Sequence, residues 1–373
     1  MFSYFFMMQL FSTDFREIHL SEFGCMRNQK ESILICIKTK KEEIMTKRIF
    51  LLFFVLLFLP LTAFAQEAEE HIKWVEFHAP YRVLERAMQY DIESFHSDTH
   101  INWLDILSIL AAKSGGSFSD VKPSAVDDLV YRLQNGETVA EISKELTHFD
   151  YYLEAYSAIL GEFLGEHRVE VPCPNNPDKK IWEERYGLKV FSPIAAGFAY
   201  SHYDDFGASR NYGYRRRHLG HDIFGAVGTP IIAVESGVVE AMGWNRYGGW
   251  RIGIRSFDGL RYYYYAHLRQ NRPYHPDIKE GSVVSAGDVI GYMGRTGYSD
   301  NENVNGIKEN HLHWGMQLIF HPDQEESNNE IWVDVYALTK LLQKNQGETI
   351  RVPETKEFYR KYEFDEPNLF GKR

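Results

Sequence analysis

Cysteine is nearly absent, with three residues in a chain of 373. Two of them, Cys25 and Cys36, precede the segment read below as a leader, and Cys173 alone remains. One thiol builds no disulfide framework, so the fold rests on core packing. Cys173 lacks the sequence context of a nucleophile and reads as an incidental thiol. Positive charge is also scarce, at 41 Lys+Arg against 52 Asp+Glu. Without residues 1–65 the balance is 33 against 46, a net charge of −13. An acidic chain is poorly matched to nucleic acid by bulk electrostatics, which excludes that partner class. The apolar stretch 49–64 is interrupted by Pro60. It falls short of the roughly 20 residues that a membrane-crossing helix needs.

That stretch has a different reading. Lys47 and Arg48 precede it, and it ends in Ala63-Phe64-Ala65, a small-x-small cleavage pattern. Residues 45–65 therefore read as a secretory signal peptide, which implies a secreted or cell-envelope location, with a membrane tether if the leader is retained. A signal sequence belongs at the N-terminus, so Met45 is the expected start and residues 1–44 an upstream extension.

What is present divides by its period. Residues 66–165 read as a helical domain of unknown role. Trp103, Ile106, Leu107 and Leu110 fall at helical spacing, and Gly115-Gly116 stops the run. Ser124-x-x-Asp127 and Thr138-x-x-Glu141 both resemble capping boxes. Its histidines (His71, His78, His96, His100, His148) are scattered and read as surface or capped residues. Residues 166–190, with Pro172, Pro174 and Pro177, read as a linker or exposed hairpin.

From about Phe191 short β-branched and aromatic runs alternate with Gly turns, and Asp258-Gly259 between two of them is a hairpin signal. The expected class is α+β, a helical region followed by an all-β antiparallel barrel or sandwich over residues 191–343. That domain is expected to end in a helix at 333–343, before a loosely packed or disordered charged tail at 344–373.

Four segments of the β domain carry chemistry: His218-Leu219-Gly220-His221-Asp222, Tyr265-Ala266-His267-Leu268, 291–297 and His311-Leu312-His313. In a strand, residues two apart share a face. His311 and His313 therefore point one way while Leu312 points to the core. Two imidazoles on one face suit metal binding better than packing. A catalytic zinc takes three N or O ligands and keeps a fourth position for water. Two His and one Asp leave a net charge near +1, which lowers the pKa of bound water toward about 7. Gly220 allows close backbone approach. Alternation also separates Tyr262 and Tyr264 from Tyr263 and Tyr265, one pair for the core and the other for a groove. Arg215-Arg216-Arg217 reads as a solvated charge run or a carboxylate attractor.

HxGxD, YxHL, GxxGxTG and HLH, in this order over residues 191–318, resemble the lysostaphin-type (LytM-type) zinc endopeptidases of peptidoglycan. The resemblance implies a compact antiparallel fold with a duplicated hybrid motif and a groove across the metal. It implies that His218, Asp222 and His313 ligate Zn²⁺ and that His311 is the general base or proton shuttle. His267 would orient the water or stabilise the oxyanion. The implied substrates are stem peptides and cross-bridges of the wall, often cut at Gly-Gly or D-amino-acid bonds. Two departures stand out. Residues 298–310 replace a short Gly-Pro link and are expected to form a lid or groove wall, and His221 sits where the family is usually apolar. A catalytically silent scaffold or activator of other wall hydrolases is the alternative; such relatives lose ligands, whereas all five site residues are present here.

Overall fold

The computed structural model describes residues 71–211, 215–325 and 328–366. The expectations for the leader and for residues 1–44 lie outside them. Among the described residues five helices come first: α1 (Tyr81–Ser94), α2 (Trp103–Ser114), α3 (Pro123–Gln134), α4 (Val139–Ser143) and α5 (Phe149–Leu160). Local chemistry sets their ends. The Asn102 side chain accepts from the Leu104 N–H at the start of α2, and Gly115 closes that helix in a left-handed conformation. Thr138 and Glu141 form the full capping box of α4. The Ser124–Asp127 box does not form, because Pro123 at the first helical position starts α3 two residues earlier, with Lys122 at the cap. Asp127 instead accepts from Arg86 Nε at 2.7 Å and from the Tyr90 hydroxyl at 2.9 Å.

Strands β1 (Leu164–Cys173) and β2 (Asn176–Leu188) then pair as a long antiparallel hairpin. After it come β3 (Tyr200–His202), β4 (Ser209–Asn211), β5 (Arg215–Arg217), β6 (His221–Gly225), β7 (Pro230–Ile232), β8 (Gly237–Asn245), β9 (Gly249–Ser256) and β10 (Arg261–Ala266). The chain continues through β11 (Val283–Val284), β12 (Val289–Tyr292), β13 (His311–Leu318), β14 (Ile331–Val333), α6 (Tyr336–Leu342), β15 (Thr349–Arg351), β16 (Phe358–Arg360) and β17 (Phe364–Asp365).

The main sheet has the order β11-β8-β9-β10-β13-β6-β3, with β14 added to β13, and every pairing is antiparallel. Asp258-Gly259 lies in the β9–β10 hairpin, as expected. No hydrogen bonds join β11 to β3 among the described residues, so the sheet stays open and the expected barrel is not formed. The C-terminal expectations also change. Residues 331–333 pair with β13 instead of opening a helix, and α6 starts only at Tyr336. The tail is not loose over residues 344–366. β15 pairs with β16 and β17 pairs with β1, while Glu357, only 3% exposed, accepts from the Tyr292 hydroxyl and from Arg272. Its charges are anchored by partners that are distant in sequence, which local composition does not reveal. No helix of the described residues is long and apolar enough to cross a membrane.

Buried apolar side chains of the helices and of the main sheet form one continuous cluster. A buried ion pair joins the two parts. Arg261 is fully buried, with Nε 2.8 Å and Nη2 3.0 Å from the Glu235 carboxylate and Nη1 donating to the Ala158 carbonyl of α5 at 2.6 Å. Removing one partner leaves the other charge buried and unpaired. Arg261→Ala is therefore expected to lower unfolding stability by about 3–5 kcal/mol, read from urea melts; an unchanged midpoint would remove this pair from the stabilising contacts.

Candidate metal centre and groove

Strand β6 faces β13 in a register that sets His313 opposite Asp222 and His311 opposite Phe224. Directly opposite residues of an antiparallel pair share a face, so Asp222 meets both histidines of the HxH segment. Leu312 is fully buried on the other face. His218 arrives from the loop before β6, where its backbone bonds Gly207 and Ala208. The result is a tight triangle. His218 Nε2 lies 3.0 Å from Asp222 Oδ1 and 3.0 Å from His313 Nδ1, and His313 Nδ1 lies 3.0 Å from Asp222 Oδ1.

The donor set fits a divalent ion. Zinc bonds of about 2.0–2.1 Å in a tetrahedron place ligand atoms about 3.3–3.4 Å apart, so the triangle need open by only a few tenths of an ångström. The His218 ring is oriented from behind. His218 Nδ1 sits 3.3 Å from the Asp205 carbonyl and 3.2 Å from the Asp205 carboxylate. Both partners are acceptors, so Nδ1 carries a proton, and with an ion bound Nε2 would give up its own proton and offer a lone pair to the centre. Burial opposes charge on Asp222, yet hydrogen bonds from His218 and His313 and nearby imidazole charge hold its carboxyl far below the usual range. Burial likewise opposes the imidazolium of His218, but Asp205 and Asp222 outweigh it and raise its pKa to about 9. Burial dominates at His313 and lowers its pKa.

Gly220 is needed here for space. A Cβ at that position would lie 2.5 Å from Cε1 and Nε2 of His313, so the glycine of HxGxD admits the ring of a ligand 93 residues away.

Two further imidazoles face the triangle. His311 Nε2 lies 3.8 Å from Asp222 Oδ1, and its Nδ1 lies 2.9 Å from the Glu309 carbonyl. That carbonyl accepts a hydrogen bond from Nδ1–H, which leaves the Nε2 lone pair facing the groove. His267 is 4.7 Å from His311 and 5.9 Å from His313, centroid to centroid. Strict alternation along β10 would send His267 to the core with Tyr263 and Tyr265. Its backbone turns left-handed instead, at φ 63°, and swings the ring to the groove. Non-glycine residues rarely adopt this conformation, and it recurs at functional sites. The segment 291–297 explains how the turn is held. Thr296 accepts the His267 Nδ1 proton at 2.9 Å on its carbonyl and donates its hydroxyl to the Leu268 carbonyl at 2.6 Å. Gly294 packs so closely that a Cβ would lie 2.5 Å from Arg269 Cα. Burial, reinforced by His311 and His313, holds the His267 pKa well below its ordinary value, so the ring is neutral with Nε2 as an acceptor.

Other expectations resolve around this cluster. His221 points to the opposite face of β6 and is buried, its Nε2 2.7 Å from His202 Nδ1. Burial, then His202, lowers its pKa to about 4; it is no alternative ligand. Tyr263 and Tyr265 are fully buried, whereas Tyr262 and Tyr264 line the groove. Arg216 bonds the Tyr298 hydroxyl and lies over the Tyr247 ring at 5.2 Å. From the inserted loop, Tyr298, Ile307, Lys308 and Glu309 form part of the groove wall. The groove encloses about 1230 Å³, above the roughly 300–1,000 Å³ of small-molecule pockets, which suits a chain-like ligand.

Sequence reasoning missed Asp205 and Arg210, which belong to no motif. Asp205 binds His218 Nδ1, and Arg210 bridges Asp205 and Asp222 Oδ2, the latter at 3.1 Å. Outer partners of this kind orient metal ligands, and their loss typically reduces metal affinity 10–100-fold. Asp205→Asn is expected to weaken zinc binding by about that factor, measured by competition with a chromogenic chelator. An unchanged affinity would leave His218 oriented by the backbone carbonyl alone.

Comparison with known proteins converges on the same residues. Residues 216–329 match Peptidase family M23. A stretch of 124 residues is 43% identical to an L-Ala--D-Glu endopeptidase of Bacillus subtilis (strain 168), covering 33% of this chain and 36% of that protein. A stretch of 83 residues is 41% identical to lysostaphin of Staphylococcus simulans, covering 22% of this chain and 16% of that protein. A solved structure from Ruminococcus gnavus, described as a glycyl-glycine endopeptidase lytM, is 24% identical, covers 73% of this chain and 89% of that one, and superposes with a TM-score of 0.47. The matched stretches span little more than a third, or less, of the two curated relatives. The triangle and the two imidazoles beside it all fall within one recognisable unit: residues 216–329 of this chain form a Peptidase family M23 domain.

Proposed function

We propose that the chain is a zinc-dependent endopeptidase of the cell envelope that hydrolyses peptide bonds in bacterial peptidoglycan. The observation that carries this reading is the convergence of His218 Nε2, Asp222 Oδ1 and His313 Nδ1 at mutual distances of 3.0 Å, beneath two imidazoles whose Nε2 atoms are bases. A divalent ion held by those three atoms would supply Lewis acidity toward a carbonyl and acidity to a bound water.

The chain's own side chains do the rest. His311 accepts the water proton at Nε2 and passes it to the leaving amine. The Glu309 carbonyl keeps its ring in the tautomer that can do so. His267, neutral and protonated at Nδ1, orients the water through Nε2. To donate to an oxyanion it must first gain a proton at Nε2, which its burial opposes. Tyr262, Tyr264 and Trp332 line the groove in which the peptide chain lies. The names of the relatives offer two bond classes, alanyl-glutamyl and glycyl-glycine. An export leader at 45–65, with secretion, and a two-layered β arrangement with a duplicated hybrid motif complete the proposal.

The test is direct. Purified protein is assayed for zinc, then incubated with defined peptidoglycan, and released fragments are read by mass spectrometry with and without a chelator. New amino termini that vanish on chelation and return with Zn²⁺ are expected. Zinc-loaded protein that releases nothing would favour a binding role over catalysis.

A further inference from the structure

Strand β9 presents Arg251, Gly253 and Arg255 on one face, because successive side chains alternate. Arg251 and Arg255 both line the groove, but their surroundings differ. Arg255 is neutralised twice, with Nε 2.7 Å from Glu240 Oε2 and Nη2 2.9 Å from Glu325 Oε1. Arg251 has no carboxylate partner among the described residues, and its Nε is buried without any hydrogen bond. A buried N–H left unmade is costly, more so on a charged group. The charge of Arg251 is close enough to act on the phenols of Tyr262 and Tyr264, which are not anions at neutral pH.

Sheet register says where the Arg251 cation stands. His313 is opposite Asp222 on β6 and opposite Ala266 on β10. One step beyond the Tyr265–Ile252 pair, Ala266 faces Arg251 on β9. The row across the sheet reads Asp222, His313, Ala266, Arg251, all on the groove face. Strands about 4.8 Å apart put the Arg251 backbone about 10 Å from that of His313. Between them Ala266 contributes only a methyl group. Tyr264 stands beside the row, its ring 6.0 Å from His313 and its hydroxyl 3.2 Å from Asn245 Nδ2. The row from the metal triangle to the Arg251 backbone is thus short and floored by small or aromatic groups.

We infer that Arg251 is a specificity-determining residue that binds a free carboxylate on the peptide, one residue or so from the scissile bond. This rests on the proposed endopeptidase reading and deepens it. The substrate class is an acidic peptide, such as one carrying a γ-linked glutamate with its α-carboxylate free, in preference to a glycine bridge. A guanidinium fork pairs with a carboxylate through two parallel N–H···O bonds, and a carboxamide cannot accept both with full charge. No other arginine of β9 is available, since Arg255 is already matched.

The test uses the full chain in a His311→Ala background, which slows turnover, and two synthetic probes: L-Ala-γ-D-Glu-L-Lys and its α-carboxamide. Calorimetric titration is expected to show the free acid binding at least ~10-fold more tightly than the amide. Arg251→Gln should bring the acid down to the affinity of the amide and leave the amide unchanged, with Arg251→Lys in between. Equal affinity for the two probes before mutation, no binding of the acid at millimolar concentration, or a preference that survives Arg251→Gln would overturn the inference. Should Arg251→Gln fail to fold, the acid–amide difference in the parent and its reduction in Arg251→Lys decide the matter. Initial rates on both peptides with native His311 separate the two proposals. Preferential binding with no cleavage would refute the hydrolase and leave Arg251 standing, whereas cleavage of both at equal kcat/KM would do the reverse.

Discussion

Alanine at position 313 will empty the metal centre and abolish hydrolysis. His313 supplies one corner of a triangle whose other corners, His218 Nε2 and Asp222 Oδ1, each lie 3.0 Å from its Nδ1. With the imidazole gone, two donors remain and the groove admits water to the vacated side. A catalytic ion provides several kcal/mol of transition-state stabilisation, so at about 1.4 kcal/mol per decade the rate on wall peptides should fall ~10³-fold or more. Zinc stoichiometry by atomic absorption should drop well below one per chain. The variant should also lose the rise in melting temperature that added Zn²⁺ gives the parent, because an ion bound only to the folded state stabilises it by mass action. A His313→Ala protein that keeps its zinc and its rate would dismantle the ligand assignment.

The companion result separates ligand from base. His311→Ala should retain one zinc per chain yet lose about 10²–10⁴-fold in kcat, the usual contribution of a positioned proton acceptor. The grounds are geometric. His311 lies on the same face as His313, but its Nε2 is 3.8 Å from Asp222 Oδ1 rather than 3.0 Å, and its Nδ1 is engaged by the Glu309 carbonyl. The backbone N–H of residue 311, bonded to the Gly294 carbonyl at 3.1 Å, survives the substitution, so circular dichroism should be unchanged. Loss of the metal with the side chain would instead make His311 a ligand and require another base, with His267 the nearest candidate.

These two histidines show what a period of two can and cannot reveal. That His311 and His313 share a face, with Leu312 in the core, follows from strand geometry alone, as does the division of Tyr262 and Tyr264 from Tyr263 and Tyr265. The same reasoning places His267 in the core, where it is not. Its left-handed backbone is imposed by Thr296 and Gly294, residues nearly thirty positions away, and only the resemblance to a family kept it in the site. Asp205 and Arg210 were invisible for a related reason. An aspartate in a loop carries no pattern until the His218 ring is set against it. The expectation of a loose C-terminal tail failed because charge content says nothing about whether Glu357 and Phe364 find buried partners.

By itself, then, the amino-acid order determined which residue types could hold an ion, which face of β13 its two histidines share, and where the β9–β10 hairpin and the Thr138 cap fall, since all of these depend on backbone periodicity and neighbours a few positions apart. Only the tertiary structure decided that Asp222 meets His313 across 91 residues, that Arg255 is neutralised while no carboxylate among the described residues pairs with Arg251, and that His267 turns into the groove. Those outcomes depend on strand register and on packing between distant segments, which a one-dimensional pattern does not encode.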